Sequence, residues 1–146
     1  MNVGDHFPVG KRWNFRLHEK GGKYHEVPAH HKADAYVDAY IEAAGIGHDK
    51  KGPLFRSLNR QRRLTERRLH RREALAMIKR RARQAGLPDT IGCHTFRATG
   101  ITTYLKNDGK LEIAQYLAAH ASARTTKLYD RRDDEVSLDE IERIII

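Results

Sequence analysis

The amino-acid sequence predicts a mainly α-helical domain with a small antiparallel β-hairpin or sheet, an α+β arrangement. Two short segments of alternating apolar and polar residues flank a glycine-rich turn near the amino terminus. Most of the remaining chain carries apolar residues at helical spacing, in segments that end at glycine. The length of 146 residues is about that of one domain, and no internal repeat divides it.

The β-hairpin is predicted first along the chain. Residues 13–17 alternate apolar and polar side chains, as do residues 25–27. Between them residues 20–23 read Lys-Gly-Gly-Lys, and glycines supply the positive φ angles that tight turns require. We expect Pro28 to end the second strand.

Helical segments make up most of the remaining chain. They share apolar residues three and four positions apart, and glycine or Asn-Asp-Gly follows several of them, as is usual at helix ends. The predicted helices cover residues 33–44, 71–85, 94–106, 111–119 and 122–129. A capping box at residues 137–140 opens a final helix. Residues 47–68 are polar and rich in Gly, Asn and Arg, and their apolar residues show almost no regular spacing. We therefore interpret them as a loop or flexible excursion.

The charge balance predicts a polyanionic partner. Lys and Arg number 28 against 19 Asp and Glu, a formal net charge of +9, which is typical of proteins that contact phosphates. The single cysteine, Cys93, excludes an internal disulfide and a thiolate-rich zinc site and suits a reducing compartment. Without a bilayer-spanning apolar run or a signal-peptide core, we expect a cytoplasmic protein with no membrane partner. His30 and His31 lack suitably spaced ligand partners, so we expect no metal and no cofactor.

The last third of the chain contains a spaced set of phosphate-directed groups: His94, Arg97, His120 and Tyr129. His94 and Arg97 are three residues apart, so they share one face of a helix. The other two reach the same place only if the intervening helices fold back. Together the four residues predict DNA strand-transfer chemistry.

The residue types indicate the role of each group. A tyrosine can hold a cut DNA strand as a phosphotyrosine ester, but its pKa near 10 calls for cationic donors that stabilise the charge of the transition state. Arg97 suits this task because its guanidinium is always charged and binds phosphate through two nitrogens. His94 could accept or relay the proton of Tyr129, and His120 could donate to a non-bridging phosphate oxygen.

The leaving 5′ oxygen needs an acid, which a lysine at the hairpin tip, Lys20 or Lys23, could supply. The His-x-x-Arg box that begins at His94, the Ala-His pair at His120 and the Thr-Thr-x-x-Tyr segment that ends at Tyr129 resemble the tyrosine recombinase, or phage integrase, family. This resemblance implies a mostly helical, metal-free catalytic domain with a small sheet, and site-specific DNA recombination or integration through a 3′-phosphotyrosyl intermediate. It also aligns Lys20 with the acid and leaves Lys23 as the alternative.

The amino-terminal side departs from the family pattern. In the family a further arginine, within a Gly-Leu-Arg-like stretch before the hairpin, completes the phosphate clamp, and a separate N-terminal domain clamps DNA. Neither is recognisable here, since Arg12 and Arg16 lie in or beside the first predicted strand. We therefore expect residues 1–146 to be a truncated, partial catalytic domain that binds DNA weakly and recombines little alone. The alternative is a non-catalytic DNA-binding or regulatory remnant of a recombinase.

Double-stranded DNA is the expected partner, and the bound protein would be associated with the nucleoid. Six arginines in basic stretches are candidate DNA contacts: Arg62, Arg63, Arg67, Arg68, Arg80 and Arg124. Residues 137–146 form an apolar stripe that ends in three isoleucines, and such a tail is a liability in water. We expect it to dock on its own core or, as the resemblance implies, on a neighbouring subunit in a dimer or tetramer on DNA.

Overall fold

The computed structural model describes residues 1–18 and 22–131. The chain divides into two compact units, of which the first ends at Met77 and the second begins at Ile78. Lys20 and the predicted final helix at residues 137–146 lie outside the described residues. None of the helices among the described residues is long and apolar enough to cross a membrane.

A three-stranded antiparallel sheet begins the amino-terminal unit. After a single 3-10 turn, β1 (His6–Val9), β2 (Arg12–His18) and β3 (Tyr24–Pro28) pair in the order β1-β2-β3. The predicted hairpin is confirmed as β2 and β3, and the sequence prediction missed β1. That strand is four residues long and contains a proline, a combination that sheets accept only at an edge.

Helix α1 (His31–Ala44) begins two residues before its predicted start and ends as predicted at Gly45. Gly45 has a φ of 64°, and its amide donates to the Glu42 carbonyl while the next amide donates to the Ile41 carbonyl. Glycine takes up this left-handed conformation at helix ends without the steric cost of a Cβ. The hydrophobic core of this unit contains Val3, Ile46 and Leu54, with Met1, Val37, Tyr40, Ile41 and Ala44 packed against it.

The prediction of a loop over residues 47–68 was wrong. The segment contains β4 (Arg56–Leu58) and β5 (Leu64–Arg68), which pair as a second antiparallel hairpin. Ser57 and Thr65 link the strands, with their hydroxyl oxygens 2.8 Å apart and Thr65 donating to the Ser57 carbonyl at 3.0 Å. The two strands are joined by paired hydroxyls and not by an apolar face. They therefore lack the alternation of apolar and polar residues from which strands are predicted.

Helix α2 (Arg71–Gln84) contains the boundary between the two units. It ends near its predicted limit, at Gly86 with a φ of 68°. The second unit continues with α3 (Cys93–Lys106), α4 (Leu111–Leu117) and α5 (Ala123–Lys127). Its buried core consists of Ile101, Leu105, Ala114 and Ala118, against which Tyr104, Leu111 and Tyr129 pack. These helices occur where the sequence predicted them, with ends that differ by one or two residues.

The connection from α3 to α4 fits closely against the aromatic side chain that precedes it. Gly109 is buried, and a Cβ at this position would lie 2.2 Å from Cε1 of Tyr104 and 2.5 Å from the Tyr104 carbonyl oxygen. The Gly109 amide donates to that same carbonyl at 3.0 Å. A side chain at residue 109 would therefore separate the ends of α3 and α4.

Candidate functional site

The carboxyl-terminal unit brings the hydroxyl of Tyr129 to one of the predicted histidines. His94, in the first turn of α3, has its Nε2 3.0 Å from the Tyr129 hydroxyl oxygen. The Tyr129 ring packs partly buried against the core, and its backbone carbonyl accepts a hydrogen bond of 3.2 Å from the Thr102 hydroxyl. Helix α3 thus holds the tyrosine at both its main chain and its phenolic end.

His120 lies on the other side of the same tyrosine. Its ring stacks on the Tyr129 ring, with centroids 5.7 Å apart and planes inclined by 21°. Its Nδ1 is 2.9 Å from the Thr126 hydroxyl oxygen, and its backbone carbonyl accepts a hydrogen bond of 3.1 Å from the Gln115 side chain. Both the orientation of the imidazole and the main-chain position of His120 are therefore fixed by neighbouring groups.

The residue before His120 adopts an unusual backbone conformation. Ala119 has a φ of 49°, in the left-handed region that a residue with a Cβ enters at a cost of about 1–2 kcal/mol. Its amide donates to the Tyr116 carbonyl, and the His120 amide donates to the Gln115 carbonyl. This reversal at the end of α4 turns the chain so that His120 faces the tyrosine.

Arg97 lies one turn after His94 on α3 and is exposed. It forms no ion pair with any other residue in the described part of the chain. Burial lowers the pKa of His120 below its ordinary value, and the proximity of Arg97 and His94 lowers that pKa further. His120 is therefore mainly neutral at pH 7, and Arg97 is close enough to act on it electrostatically.

The four residues have the composition of an anion site beside a nucleophile. Arg97 offers a guanidinium that has no ion pair among the described residues, the two imidazoles offer ring nitrogens, and the phenol of Tyr129 touches one of those nitrogens. A phosphate diester would match this set of groups, since guanidinium and imidazole donors bind its oxygens while the phenol attacks phosphorus.

The lysine candidates belong to the amino-terminal unit. Lys23 is exposed and immediately precedes β3, whereas Lys20 is among the residues that the structure does not describe. The choice between the two lysines stays a prediction. Arg16 lies in β2, where it pairs with Glu26 at 2.8 Å and lies 4.7 Å over the ring of Phe7.

The six arginines predicted to contact DNA differ in their surroundings. All are exposed: Arg62, Arg63, Arg67, Arg68, Arg80 and Arg124. Arg68 also donates to the Met1 carbonyl and, at 2.6 Å, to the Asn2 side chain. Arg62 occupies the β4–β5 turn with a φ of 60°. Arg68 therefore has an internal structural role that the sequence did not indicate.

One group of described residues has the composition of a metal site. Nε2 of the buried His6 lies 2.8 Å from an Asp34 oxygen, and its Nδ1 lies 3.7 Å from an Asp38 oxygen. Each ring nitrogen already faces a carboxylate, and the ring stacks on Trp13 with centroids 4.5 Å apart. These contacts join β1 to α1, and we interpret the group as structural.

Three residues that support the site were not predicted individually: Thr102, Gln115 and Thr126. Each acts through one hydrogen bond to Tyr129 or His120. Thr126 belongs to the Thr-Thr-x-x-Tyr segment, so its position could have been inferred from spacing. Thr102 and Gln115 have no comparable pattern, because their partners are backbone carbonyls that any residue provides.

Known proteins resemble this chain in sequence and in fold. The sequence profile of the phage integrase family matches residues 9–135. A tyrosine recombinase XerC of Chlamydia caviae is 33% identical over 115 residues, which are 78% of this chain and 35% of that protein. A tyrosine recombinase XerC of Thermodesulfovibrio yellowstonii is 31% identical over 124 residues, covering 81% of this chain and 39% of that protein. The chain thus spans little more than a third of the length of these relatives.

Solved structures show the same fold. The crystal structure of XerA recombinase superposes with a TM-score of 0.67 at 19% identity, covering 98% of this chain and 50% of that one. XerH site-specific recombinase bound to a palindromic difH substrate, in a post-cleavage complex, gives a TM-score of 0.66 at 20% identity, covering 99% of this chain and 39% of that one. From the extent of the profile match and the shared fold, we conclude that the chain belongs to the phage integrase family.

Proposed function

We propose that this chain carries the strand-transfer chemistry of a site-specific DNA recombinase. The observation that carries the proposal is the 3.0 Å contact between His94 Nε2 and the Tyr129 hydroxyl, beside an arginine that is free of internal partners among the described residues. A phenol in contact with an imidazole can pass its proton to that imidazole as it attacks. The XerC relatives and the XerH–DNA complex support the same activity.

The proposed reaction exchanges one phosphate ester for another. The Tyr129 oxygen forms a bond to phosphorus as the bond from phosphorus to the 5′ oxygen breaks, and His94 takes the phenolic proton. Arg97 and His120 donate to the non-bridging oxygens, where negative charge increases in the transition state. We assign the proton of the departing 5′ hydroxyl to Lys20, with Lys23 as the alternative. Attack by a different 5′ hydroxyl on the phosphotyrosine reverses the steps and joins a new pair of strands.

The remaining partners follow from this activity. We assign double-stranded DNA as the substrate, with the exposed arginines of the β4–β5 hairpin, Arg80 and Arg124 as backbone contacts. Residues 137–146 are assigned to self-association on DNA. The cytoplasm, and the nucleoid when DNA is bound, is the proposed location. The DNA served would be a mobile element or a chromosome.

A second candidate function is DNA binding without cleavage. One observation favours it: Arg97 is the one arginine of α3, and the guanidinium of Arg16 in β2 is held by Glu26 and the ring of Phe7. A transferring phosphate has two non-bridging oxygens, and a single guanidinium leaves the second with fewer donors. Under this alternative, the chain keeps the fold and its basic surface but forms covalent DNA adducts only when another polypeptide segment supplies an arginine.

The two candidates are separated by trapping on a nicked duplex. The probe is a duplex library with a randomised central region. Its nick lets the short fragment that carries the new 5′ hydroxyl leave after cleavage, so that religation cannot occur. We expect a covalent protein–DNA band with the unmodified chain and none with Tyr129→Phe. Tyr36→Phe is the matched control, since Tyr36 is 75% exposed on α1, and it should retain the band.

Each outcome of the trapping experiment assigns the chain to one class. DNA binding by the chain alone without a covalent band would favour the non-catalytic alternative. The reaction is then repeated with an arginine-bearing segment of a relative added. A band that appears only with the added segment would show an incomplete clamp. A cleavage product that survives Tyr129→Phe would rule out the tyrosine mechanism.

A further inference from the structure

Thr126 is a completely buried hydroxyl next to the site. It lies in α5 with 0% of its surface exposed, and its Oγ1 is 2.9 Å from Nδ1 of His120. Buried hydroxyls are nearly always hydrogen-bonded. The neighbouring Thr125 is exposed, so the two adjacent threonines of the Thr-Thr-x-x-Tyr segment have different surroundings.

The direction of this hydrogen bond decides which ring nitrogen of His120 carries the proton. A neutral imidazole has one N–H donor and one bare acceptor nitrogen, whereas a hydroxyl can either donate or accept. If Thr126 accepts from Nδ1, the Nε2 nitrogen is bare. If Thr126 donates to Nδ1, the proton is on Nε2. Burial together with the nearby Arg97 guanidinium keeps His120 neutral at pH 7, so one of these two tautomers is present.

A bound phosphate is compatible with only one of them. Its non-bridging oxygens are acceptors, and a bare Nε2 would place one lone pair against another. Rotating the His120 ring by half a turn does not remove the conflict between the two lone pairs, because it would break the hydrogen bond between Nδ1 and Thr126. The stack on Tyr129 and the Gln115 bond to the His120 carbonyl hold the residue in its present orientation.

We propose that the Thr126 hydroxyl donates to Nδ1 of His120 and thereby selects the tautomer whose Nε2 proton is available to the phosphate. Thr126 is then a positioning residue that acts through His120. The benefit to catalysis rests on the proposed function, while the tautomer itself is a property of the free protein. The two claims can therefore fail separately.

The experiment measures the ring nitrogen shifts of His120 by ¹⁵N NMR on the full chain at pH 7.5, without DNA. The variants are Thr126→Val, which keeps the side-chain shape but removes the hydroxyl, and Thr126→Ser, which restores it. Thr125→Val is the matched control. We expect shifts of the Nε2–H tautomer alone in the unmodified chain, the Ser variant and the control, and a mixture that includes Nδ1–H in the Val variant.

A proton on Nδ1 in the unmodified chain, or a Val spectrum identical to that of the unmodified chain, would overturn the proposal. If the Val variant does not fold, the spectra of the unmodified chain and the Ser variant decide. In the trapping assay at saturating DNA, Thr126→Val should slow adduct formation roughly five- to tenfold, the factor that one neutral hydrogen bond contributes, with DNA affinity unchanged. An absent adduct in every variant would count against the proposed function and leave the tautomer result intact.

Discussion

Helices α3–α5 and the β4–β5 hairpin both contain residues predicted to contact DNA, but they fix those residues very differently. In the helical region, His94 on α3, His120 after α4 and Tyr129 after α5 contact one another or a buried threonine. In the hairpin, Arg63 and Arg67 are exposed side chains with no ion pair among the described residues. Reacting groups have to be held in place before substrate arrives, whereas backbone contacts to DNA only need charge near the right surface.

The largest effect in this comparison is expected on the rate of adduct formation when Arg97 is replaced. We expect Arg97→Ala to reduce the rate of adduct formation at saturating DNA about 10²–10³-fold, the usual effect of removing one donor to transition-state charge. Affinity for DNA should change little, because 28 Lys and Arg residues share that task. Arg81→Ala, at an exposed position on α2, is the control and should leave the rate nearly unchanged. Equal losses in both variants would show that Arg97 acts only as surface charge.

The next prediction tests whether the connection between α3 and α4 is rigid. We expect Gly109→Ala to lower the free energy of unfolding by about 1–3 kcal/mol, the usual cost of overpacking, because its Cβ would lie 2.2 Å from Tyr104. Gly100→Ala is the matched control on α3, where a Cβ meets nothing within 4 Å and helix propensity favours alanine. Urea unfolding should show opposite signs for the two. An unaffected Gly109→Ala chain would mean that the connection adjusts easily.

Within the hairpin, two arginines should separate into a DNA contact and a structural residue. Arg63→Gln should weaken DNA binding and reduce the slope of log K against log salt by about 0.9, with stability unchanged. Arg68→Gln should lower the free energy of unfolding by about 1 kcal/mol, because Arg68 bonds to Met1 and Asn2. Titration at several salt concentrations and urea unfolding measure both quantities. If the two variants behave alike, the internal bonds of Arg68 have no energetic importance.

A smaller effect is expected at Ala119 in the helical region and Arg62 in the hairpin, two of the residues with left-handed backbone. Ala119→Gly and Arg62→Gly should each raise the free energy of unfolding by about 0.5–1 kcal/mol, because glycine relieves the cost of φ values of 49° and 60°. Ala118→Gly, at a φ of −83°, is the control and should destabilise. Stabilisation at Arg62 but not at Ala119 would indicate that the structure around His120 compensates for the strained backbone.

The smallest effect concerns the dependence of stability on pH. Because the folded state lowers the pKa of His120, the unfolded chain binds a proton at this residue before the folded chain does as pH falls below about 6.5. The folded state therefore loses stability in that range. We expect His120→Gln to lose less stability than the unmodified chain between pH 7.5 and pH 5.5, measured by urea midpoints. Equal losses would contradict the lowered pKa.

The two regions also differ in what the sequence could predict. The helices were predicted because apolar spacing and terminal glycines such as Gly45 and Gly86 act locally, and His94 and Tyr129 were predicted because their chemistry constrains their spacing. The β4–β5 hairpin was missed because its link is a Ser57–Thr65 hydroxyl pair without an apolar alternation. The role of Thr126 depends on one contact between α5 and the connection that precedes it, which only tertiary structure reveals.

The contact between His94 and Tyr129 indicates how many copies of the chain are needed to cleave one DNA strand. The proposed nucleophile, proton acceptor and arginine all belong to one carboxyl-terminal unit. A copy should therefore cleave the strand that it binds itself, rather than lend its tyrosine to a neighbour. Mixing Tyr129→Phe chains with Arg97→Ala chains should then restore nothing, since neither copy contains an intact set.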